Sequence, residues 1–190
     1  MNRETNRGAA AYGRSVEIRV LGAVAAFDGD MQVPLGGPKQ RTVLALVSDD
    51  DADWKPHAKS YTMGQLAMHI ANLLTWAKLT LTESEFDLNP PGGTQTPSRS
   101  YTSPDDLLDT FDANVKQARD AIANTDDDEF RKPWTLKHAG QDVFTQPRIG
   151  VLRSFLLNHV YHHRGQLTVY LRLRDIPLPM VYGPTADTKM

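Results

Sequence analysis

The stretch Asn158-His159-Val160-Tyr161-His162-His163-Arg164-Gly165-Gln166 decides how the rest of the chain is interpreted. It holds three of the 6 histidines of the 190-residue chain and lies in a long segment with helical periodicity near the C-terminus. In an α-helix, His159 and His163 stand one turn apart on the same face, and this spacing suits two ligands of one metal ion. The stretch therefore predicts a metal site that needs at least one further ligand from elsewhere in the chain.

Composition limits the chemistry that the chain can perform. It contains 0 cysteines, which excludes disulfides, thiolate zinc sites and cysteine nucleophiles, so a transition metal must be held by His, Asp or Glu together with water. The net charge of -2 gives no general attraction to nucleic acid. No apolar run approaches the roughly 18 residues that span a membrane, and the polar N-terminus lacks the apolar core of a signal peptide. We therefore expect a soluble cytoplasmic protein.

The N-terminal quarter of the chain differs in character from the remainder. Residues 1–15 predict a disordered tail, residues 16–21 and 31–35 predict a β-hairpin, and residues 39–47 predict a short helix that ends at Ser48-Asp49-Asp50-Asp51. The sequences Val16-Glu17-Ile18-Arg19-Val20-Leu21-Gly22 and Val33-Pro34-Leu35-Gly36-Gly37-Pro38-Lys39-Gln40-Arg41 resemble the start of SARP-type (antibiotic regulatory protein) winged-helix regulators. That family's recognition helix and wing have no counterpart further on. We interpret residues 16–47 as a partial regulator-like segment.

Three longer helices are predicted after residue 50. Thr62 and Gln65 have capping-box spacing and start a helix that runs to about Leu81. Ser103 and Pro104 start a second helix, which ends at the acidic run of residues 126–129. The last helix runs from near Pro147 to about Arg174. Between them, residues 83–102 predict a long loop, and residues 130–146 predict irregular structure with a possible hairpin at Ala139-Gly140.

The inward face of the last helix carries polar side chains. A helical wheel centred on His159 places His163, Gln166 and Tyr170 on the same side as several leucines. His69 lies in a similar setting among apolar residues of the earlier helix. We predict that His69, His159 and His163 bind one metal ion, with Gln166 and Tyr170 orienting water or substrate. Taken singly, each histidine could instead be a hydrogen-bonded core residue. Of the remaining histidines, His162 is expected at the rim, and His57 and His138 in solvated loops.

Four stretches of the sequence resemble the DinB (damage-inducible) family. They are Trp54-Lys55-Pro56-His57, Gln65-Leu66-Ala67-Met68-His69-Ile70, His159-Val160-Tyr161-His162-His163-Arg164-Gly165-Gln166-Leu167 and Pro177-Leu178-Pro179-Met180-Val181-Tyr182-Gly183-Pro184, within residues 52–184. The resemblance implies a four-helix bundle, often dimeric, in which three histidines hold a divalent metal. Carried over by motif position, these are His69, His159 and His163. Some relatives are thiol-dependent S-transferases or isomerases.

These observations predict an all-α fold, a DinB-like up-down-down-up four-helix bundle over residues 48–190. The family's long first helix is replaced here by a shortened one with a small N-terminal β-hairpin, so either the hairpin or a partner subunit must cover the gap. We expect a homodimer or a marginally stable protein. The expected function is that of a metal-dependent enzyme that acts on a small molecule, such as a low-molecular-weight-thiol S-transferase or a hydrolase with Zn or Ni. The alternatives are a non-catalytic metal-binding stress or regulatory protein and a DNA-binding regulator fragment.

Overall fold

A computed structural model describes residues 17–19, 25–28, 31–33, 39–93 and 98–188 of the chain. The predicted disordered tail, residues 1–15, lies outside these ranges. The helices are α1 (Lys39–Leu44), α2 (Asp49–Ala52), α3 (Met63–Leu73), α4 (Thr75–Thr82), α5 (Pro104–Ala123), α6 (Asp127–Arg131), α7 (Arg148–Gly150), a π-helical segment (Val151–Leu157) and α8 (Asn158–Leu173). The strands are β1 (Glu17–Arg19), β2 (Ala25–Asp28), β3 (Met31–Val33), β4 (Glu85–Asp87), β5 (Pro133–His138) and β6 (Gln141–Pro147). The structure is therefore mostly helical, with two small sheets.

The N-terminal strands form an antiparallel sheet in the order β1-β2-β3. The sequence prediction joined residues 16–21 directly to residues 31–35, whereas β2 lies between them and pairs with both neighbours. Ile18 pairs with Ala26, and Phe27 with Gln32. The alanines of β2 have low strand propensity, so the sequence pattern alone gave no reason to expect a strand there. The strand is instead held by backbone pairing with both neighbouring strands.

The first helical segment is short but belongs to the main core. Val43 and Leu44 of α1 and Val47 just beyond it are almost fully buried. The acidic run from Ser48, predicted as the end of this helix, instead forms α2 with Ser48 as its N-cap. Because α1 packs against α5 and α8, it is part of the helical unit rather than an appendage.

The predicted helix starts at Thr62 and Ser103 are confirmed. The Thr62 hydroxyl accepts the Gln65 N–H while the Gln65 side chain accepts the Thr62 N–H, and Ser103 accepts the Asp106 N–H. Two details differ from the prediction. The first helix breaks at Leu74 and resumes as α4. The second ends at Ala123, and the acidic run that was predicted to end it forms the separate helix α6 with Asp126 as its N-cap.

The C-terminal helical segment is continuous from Arg148 to Leu173, as predicted, although its first part is a π-helix. It ends before Asp175, which has a positive φ of 58°. Arg148 at its start is buried and donates to the carbonyl of Leu81 at the end of α4 and, at 3.4 Å, to Glu129 of α6. This side chain holds three elements together, and α8 itself packs against α3 and α1.

A three-stranded mixed sheet overturns the expectation of an all-α fold. β4 is parallel to β5, and β5 is antiparallel to β6. Thus the predicted long loop contains a strand, and most of the predicted irregular region is a hairpin that turns at Ala139 and Gly140, both with positive φ. Asp87 accepts the Gly140 N–H at 2.7 Å and so fixes that turn against β4.

The sheet covers a second apolar cluster, which we call the aromatic core. It consists of buried Trp134, Leu136 and Val151 with partly buried aromatic neighbours, namely Trp76, Phe86, Phe144 and Phe155. The main core lies among the helices, and Trp76 packs against both clusters. Within the described part of the chain, none of the helices combines the length and apolarity needed to cross a membrane.

Candidate metal site

The structure brings together His69 of α3 and His159 and His163 of α8. One ring nitrogen of each histidine lies within 4.8 Å of the corresponding nitrogen of the other two. The ring centroids are 5.3 Å apart for His69 and His159, and 4.6 Å apart for both other pairs. We call these three residues the histidine cluster. Although 90 positions separate His69 from His159 in the sequence, the packing of α8 against α3 makes them neighbours.

The spacing of the cluster is close to that of a metal site. Zinc takes imidazole nitrogens at about 2.0–2.1 Å, so two nitrogens in tetrahedral positions lie about 3.4 Å apart. Side-chain rotations that close each gap by up to about 1.4 Å would therefore complete the geometry. Three imidazole donors without a carboxylate suit Zn, Ni, Cu or Fe better than Mg or Ca. The donor set fits a divalent transition metal.

The protonation state of the cluster also fits metal binding. Burial, together with the neighbouring His163 and His159, lowers the pKa of His69 from 6.5 to about 4. Burial likewise lowers the pKa of His159 and of His163, each with a smaller contribution from adjacent histidines. At neutral pH the imidazoles are therefore uncharged, and each has a nitrogen lone pair available for a metal.

Gln166 contacts a histidine of the cluster directly. Its Oε1 lies 2.7 Å from His163 Nδ1, and as a carbonyl oxygen it accepts the hydrogen carried by that nitrogen. This hydrogen bond raises the pKa of His163 against the effect of burial. It also leaves Nε2 as the nitrogen free to bind a metal. A residue that hydrogen-bonds the other ring nitrogen of a metal-binding histidine usually has this function. The structure thus places Gln166 on the ring of His163, and its predicted contact with water or substrate stays a prediction.

Tyr170 contacts the Trp54 loop. Its ring meets Trp54 edge to face at 5.8 Å, and the Arg174 guanidinium covers the same indole at 5.8 Å. Arg174 in turn pairs with Asp51 at 2.6 Å. These contacts fasten the loop between α2 and α3 to the end of α8. The predicted role of Tyr170 in orienting substrate stays a prediction.

The position of the cluster on α8 differs from the predicted one. The deeply buried residues are Leu156, Val160, Leu167 and Leu171, whereas His159 and His163 are only partly buried. The predicted inward face was centred on His159 and included Leu173, which is 57% exposed. The histidines therefore stand at the edge of the buried face, where small molecules can reach them.

The other histidines lie outside the cluster. His162 is exposed, as expected for a rim residue, although its ring is 4.9 Å from that of His163. His57 is exposed in a loop, and its Nδ1 accepts the Lys59 N–H. His138, also predicted in a loop, ends β5 instead and borders a cavity.

Three residues next to the cluster were missed in the sequence. The Tyr61 ring lies 5.9 Å from His69, and the Phe155 ring lies 5.9 Å from His159. Asn72 donates to the Ser98 hydroxyl and the Arg99 carbonyl and so fastens the segment before α5. Asn72 could have been identified, because it lies three positions after His69 on the same helix face. Phe155 has a similar signal, because it precedes His159 by four positions on the same predicted helix face, whereas Tyr61 has no comparable sequence signal.

Two cavities meet at His69. One has a volume of about 770 Å³ and extends past α4 to β4, and the other has a volume of about 380 Å³ and extends past Tyr61 and Tyr101. Both are bordered by His69 and Asn72. A metal ion held by the cluster would therefore lie beside space large enough for small molecules.

Comparisons with known proteins agree with this structure. A family model described as the DinB superfamily matches residues 38–167. The uncharacterized protein YrdA of Bacillus subtilis (strain 168) is 28% identical over 148 residues, covering 76% of this chain and 80% of the relative. The crystal structure of the DinB-like protein YjoA from B. subtilis superposes with a TM-score of 0.58 at 17% identity, covering 77% of this chain and 92% of the other. A DinB-like protein from Bacillus cereus ATCC 10987 gives 0.56 at 20% identity, with coverage of 76% and 89%.

Proposed function

Because this chain belongs to the DinB superfamily, we propose that its histidine cluster binds one divalent metal ion, Zn²⁺ or Ni²⁺, through His69, His159 and His163. The observation that carries this proposal is the approach of three uncharged imidazoles from two helices to within 4.8 Å. Their partial exposure also supports it, since solvated metal can enter the site without unfolding of the helices.

We further propose that the metal is catalytic and that the reaction is transfer of a low-molecular-weight thiol to an electrophile. A divalent ion at this position lowers the pKa of a bound thiol or water and so supplies a nucleophile at neutral pH. Three protein ligands leave a coordination position for a small molecule, and His69 borders both cavities. In such a reaction the thiol would lose its proton to a base in solution, its sulfur would form a bond to an electrophilic carbon, and the leaving group would depart from that carbon with the bonding electrons.

A non-catalytic stress or regulatory protein is the second candidate. The ligands come from α3 and α8, so a bound ion would cross-link two helices that are distant in sequence. Such a cross-link stabilises the folded protein whether or not a reaction occurs. Activity measurements, rather than metal content, separate the two candidates.

Metal content tests the first step of the proposal. We expect purified protein incubated with Zn²⁺ or Ni²⁺ and then desalted to retain one equivalent by elemental analysis, and His163→Ala to retain none. The matched control is His162→Ala, which removes the adjacent exposed histidine and should leave the equivalent in place. Retention of one equivalent by His163→Ala would contradict the ligand assignment.

A thiol-consumption assay tests the second step. Metal-loaded wild type is expected to consume a low-molecular-weight thiol such as glutathione or cysteine in the presence of an aryl halide, faster than the metal-free protein. Across a panel of thiols and electrophiles, loss of turnover in His163→Ala but not in His162→Ala would support catalysis at the cluster. Stoichiometric metal without turnover on any pair would favour the non-catalytic candidate.

The up-down-down-up bundle, the homodimer and the cytoplasmic location also belong to the proposal. Packing of α1 and α3 against both α5 and α8 supports the bundle. Exposed apolar side chains on α8 and just before it support a dimer contact that would bury them, namely Leu157, Tyr161, Val169 and Leu173. Light scattering is expected to give the dimer mass for wild type and the monomer mass for Val169→Asp. The division of the chain at residues 16–47 and 48–190 also stays a proposal, in which α1 packs with the second part.

A further inference from the structure

The larger cavity beside His69 has a mainly apolar wall. Leu73, Trp76, Leu79, Phe86 and Leu88 supply most of it. The volume of about 770 Å³ lies within the range of about 300–1,000 Å³ that is typical of small-molecule sites. When a ligand displaces water from apolar side chains that border open space, the free energy of the system falls, which favours binding. The cavity is therefore suited to an apolar ligand.

The smaller cavity that His69 also borders is different, because several of its polar groups are already paired within the protein. Arg99 pairs with Asp106 at 2.5 Å, and the Tyr101 hydroxyl donates to Asp49 at 3.1 Å. Gln65 is held in the capping box at the start of α3. The two cavities thus present different chemistry to a molecule that approaches the cluster.

Aromatic contacts connect the larger cavity to the histidine cluster. The His159 ring lies 5.9 Å from Phe155, Phe155 lies 5.2 Å from Trp76, and Trp76 lies 5.2 Å from Phe86. Trp76 and Phe86 belong to the cavity wall, and His69 lines the same cavity. A molecule bound along this wall would therefore have one end next to the proposed metal site.

The charges at the cavity rim favour an uncharged ligand. Lys78 and Glu83 both border the cavity and have opposite charges, so the rim has no strong net preference for an anion or a cation. We propose that the cavity binds the electrophilic substrate as a compact, uncharged molecule with an aromatic or aliphatic body, and that its reactive end lies beside His69. The assignment of this molecule as the substrate rests on the proposed metal-dependent function, whereas its binding in the cavity does not.

Binding of the neutral fluorescent probe N-phenyl-1-naphthylamine to the metal-free full-length chain tests the cavity. We expect saturable binding with one probe per chain. Leu88→Asp, which places a charge in the wall at a residue that is already 39% exposed, is expected to weaken binding about tenfold. Val143→Asp is the matched control, since Val143 lies on the same sheet, is 56% exposed and does not border the cavity. Equal probe affinity in wild type and Leu88→Asp would overturn the proposal.

Metal loading then tests the position of the ligand. Co²⁺ quenches nearby fluorophores and Zn²⁺ does not, so probe emission should fall when Co²⁺ fills the cluster and should not fall with Zn²⁺. Bound Co²⁺ without quenching would place the probe elsewhere and overturn the inferred orientation. If the cluster binds no metal while Leu88→Asp still weakens probe binding, the proposed function fails and the cavity assignment stands.

Discussion

The histidine cluster and the aromatic core are neighbouring regions that differ in their exposure to solvent. Trp134, Leu136 and Val151 of the aromatic core are at most 3% exposed, whereas all three histidines remain partly open to solvent. The first region removes apolar surface from water, which stabilises the fold. The second holds polar rings at low pKa in a position that other molecules can reach. They touch where Phe155 packs on His159. The residues that stabilise the fold are thus different from those proposed to bind a ligand, and the two groups meet at this contact.

The largest effect is expected from Trp134→Ala in the aromatic core. Trp134 is fully buried, so truncation leaves a cavity and is expected to lower the free energy of unfolding by about 3–5 kcal/mol, as measured by urea denaturation of the metal-free protein. Trp134→Phe should cost much less, because it refills most of the volume and removes an indole N–H that has no partner among the described residues. The folded Trp134→Phe protein should bind metal like wild type. Weakened metal binding in that variant would show that the two regions are coupled.

The two regions also differ in how well the sequence predicts them. The helices that carry the cluster have capping residues and apolar residues at helical spacing, and these local features identify α3, α5 and α8. Two histidines one turn apart on α8 predict a pair of metal ligands. The third proposed ligand, His69, came from its similar setting and from family resemblance. What the wheel did not give is the rotation of α8, because Val160 and Leu171 lie outside the predicted inward face and yet are buried where α8 packs against α3 and α1.

A possible hairpin at Ala139-Gly140 was predicted, whereas β4 and its pairing were missed for a physical reason. β4 has three residues, and its parallel partner β5 lies 50 positions later, with Glu85 opposite Thr135. A strand this short has no periodicity of its own and exists because β5 supplies its hydrogen bonds. In β5 a signal was present, since buried Trp134 and Leu136 alternate with more exposed neighbours. That alternation identifies a strand, but only tertiary contacts identify its parallel partner.

Metal removal should lower the free energy of unfolding, because a bound ion stabilises the folded protein. At free Zn²⁺ about 100-fold above Kd, the free energy of unfolding of wild type is expected to rise by about 2.7 kcal/mol relative to protein in EDTA. His69→Ala should show no such rise, whereas His57→Ala, in an exposed loop, should match wild type. Urea denaturation with and without Zn²⁺ gives both numbers. A rise in His69→Ala equal to that of wild type would place the zinc elsewhere.

Gln166→Leu is expected to have a smaller effect, confined to affinity. Loss of the acceptor at 2.7 Å frees the His163 ring to rotate and to exchange its hydrogen between nitrogens, so metal affinity should fall about tenfold. Gln166→Glu keeps an acceptor at the same place and should bind at least as tightly as wild type. Competition with a chromophoric chelator at pH 7.5 measures all three proteins. Equal affinities for Gln166→Leu and wild type would mean that Gln166 does not orient the ligand.

Acid pH should destabilise the metal-free protein through the protonation of His69 in the unfolded chain. The pKa of His69 is lowered by burial, and by His163 and His159, to about 4, against 6.5 in the unfolded chain. Below pH 6.5 the unfolded chain therefore binds a proton that the folded protein does not, so stability is full above pH 6.5 and falls until pH is near 4. The fall is reduced by solvent screening, since the ring is partly exposed.

Urea denaturation in EDTA across this pH range, compared between wild type, His69→Gln and His57→Gln, measures the effect of that one ring. His69→Gln should have a shallower slope, with a remainder from His159 and His163, whose pKa values are also lowered by burial. His57→Gln should retain the wild-type slope. If instead His69→Gln retains it, the low pKa of His69 is absent in solution. The cluster would then be open to water in the metal-free protein, and its contrast with the aromatic core would be sharper than the structure indicates.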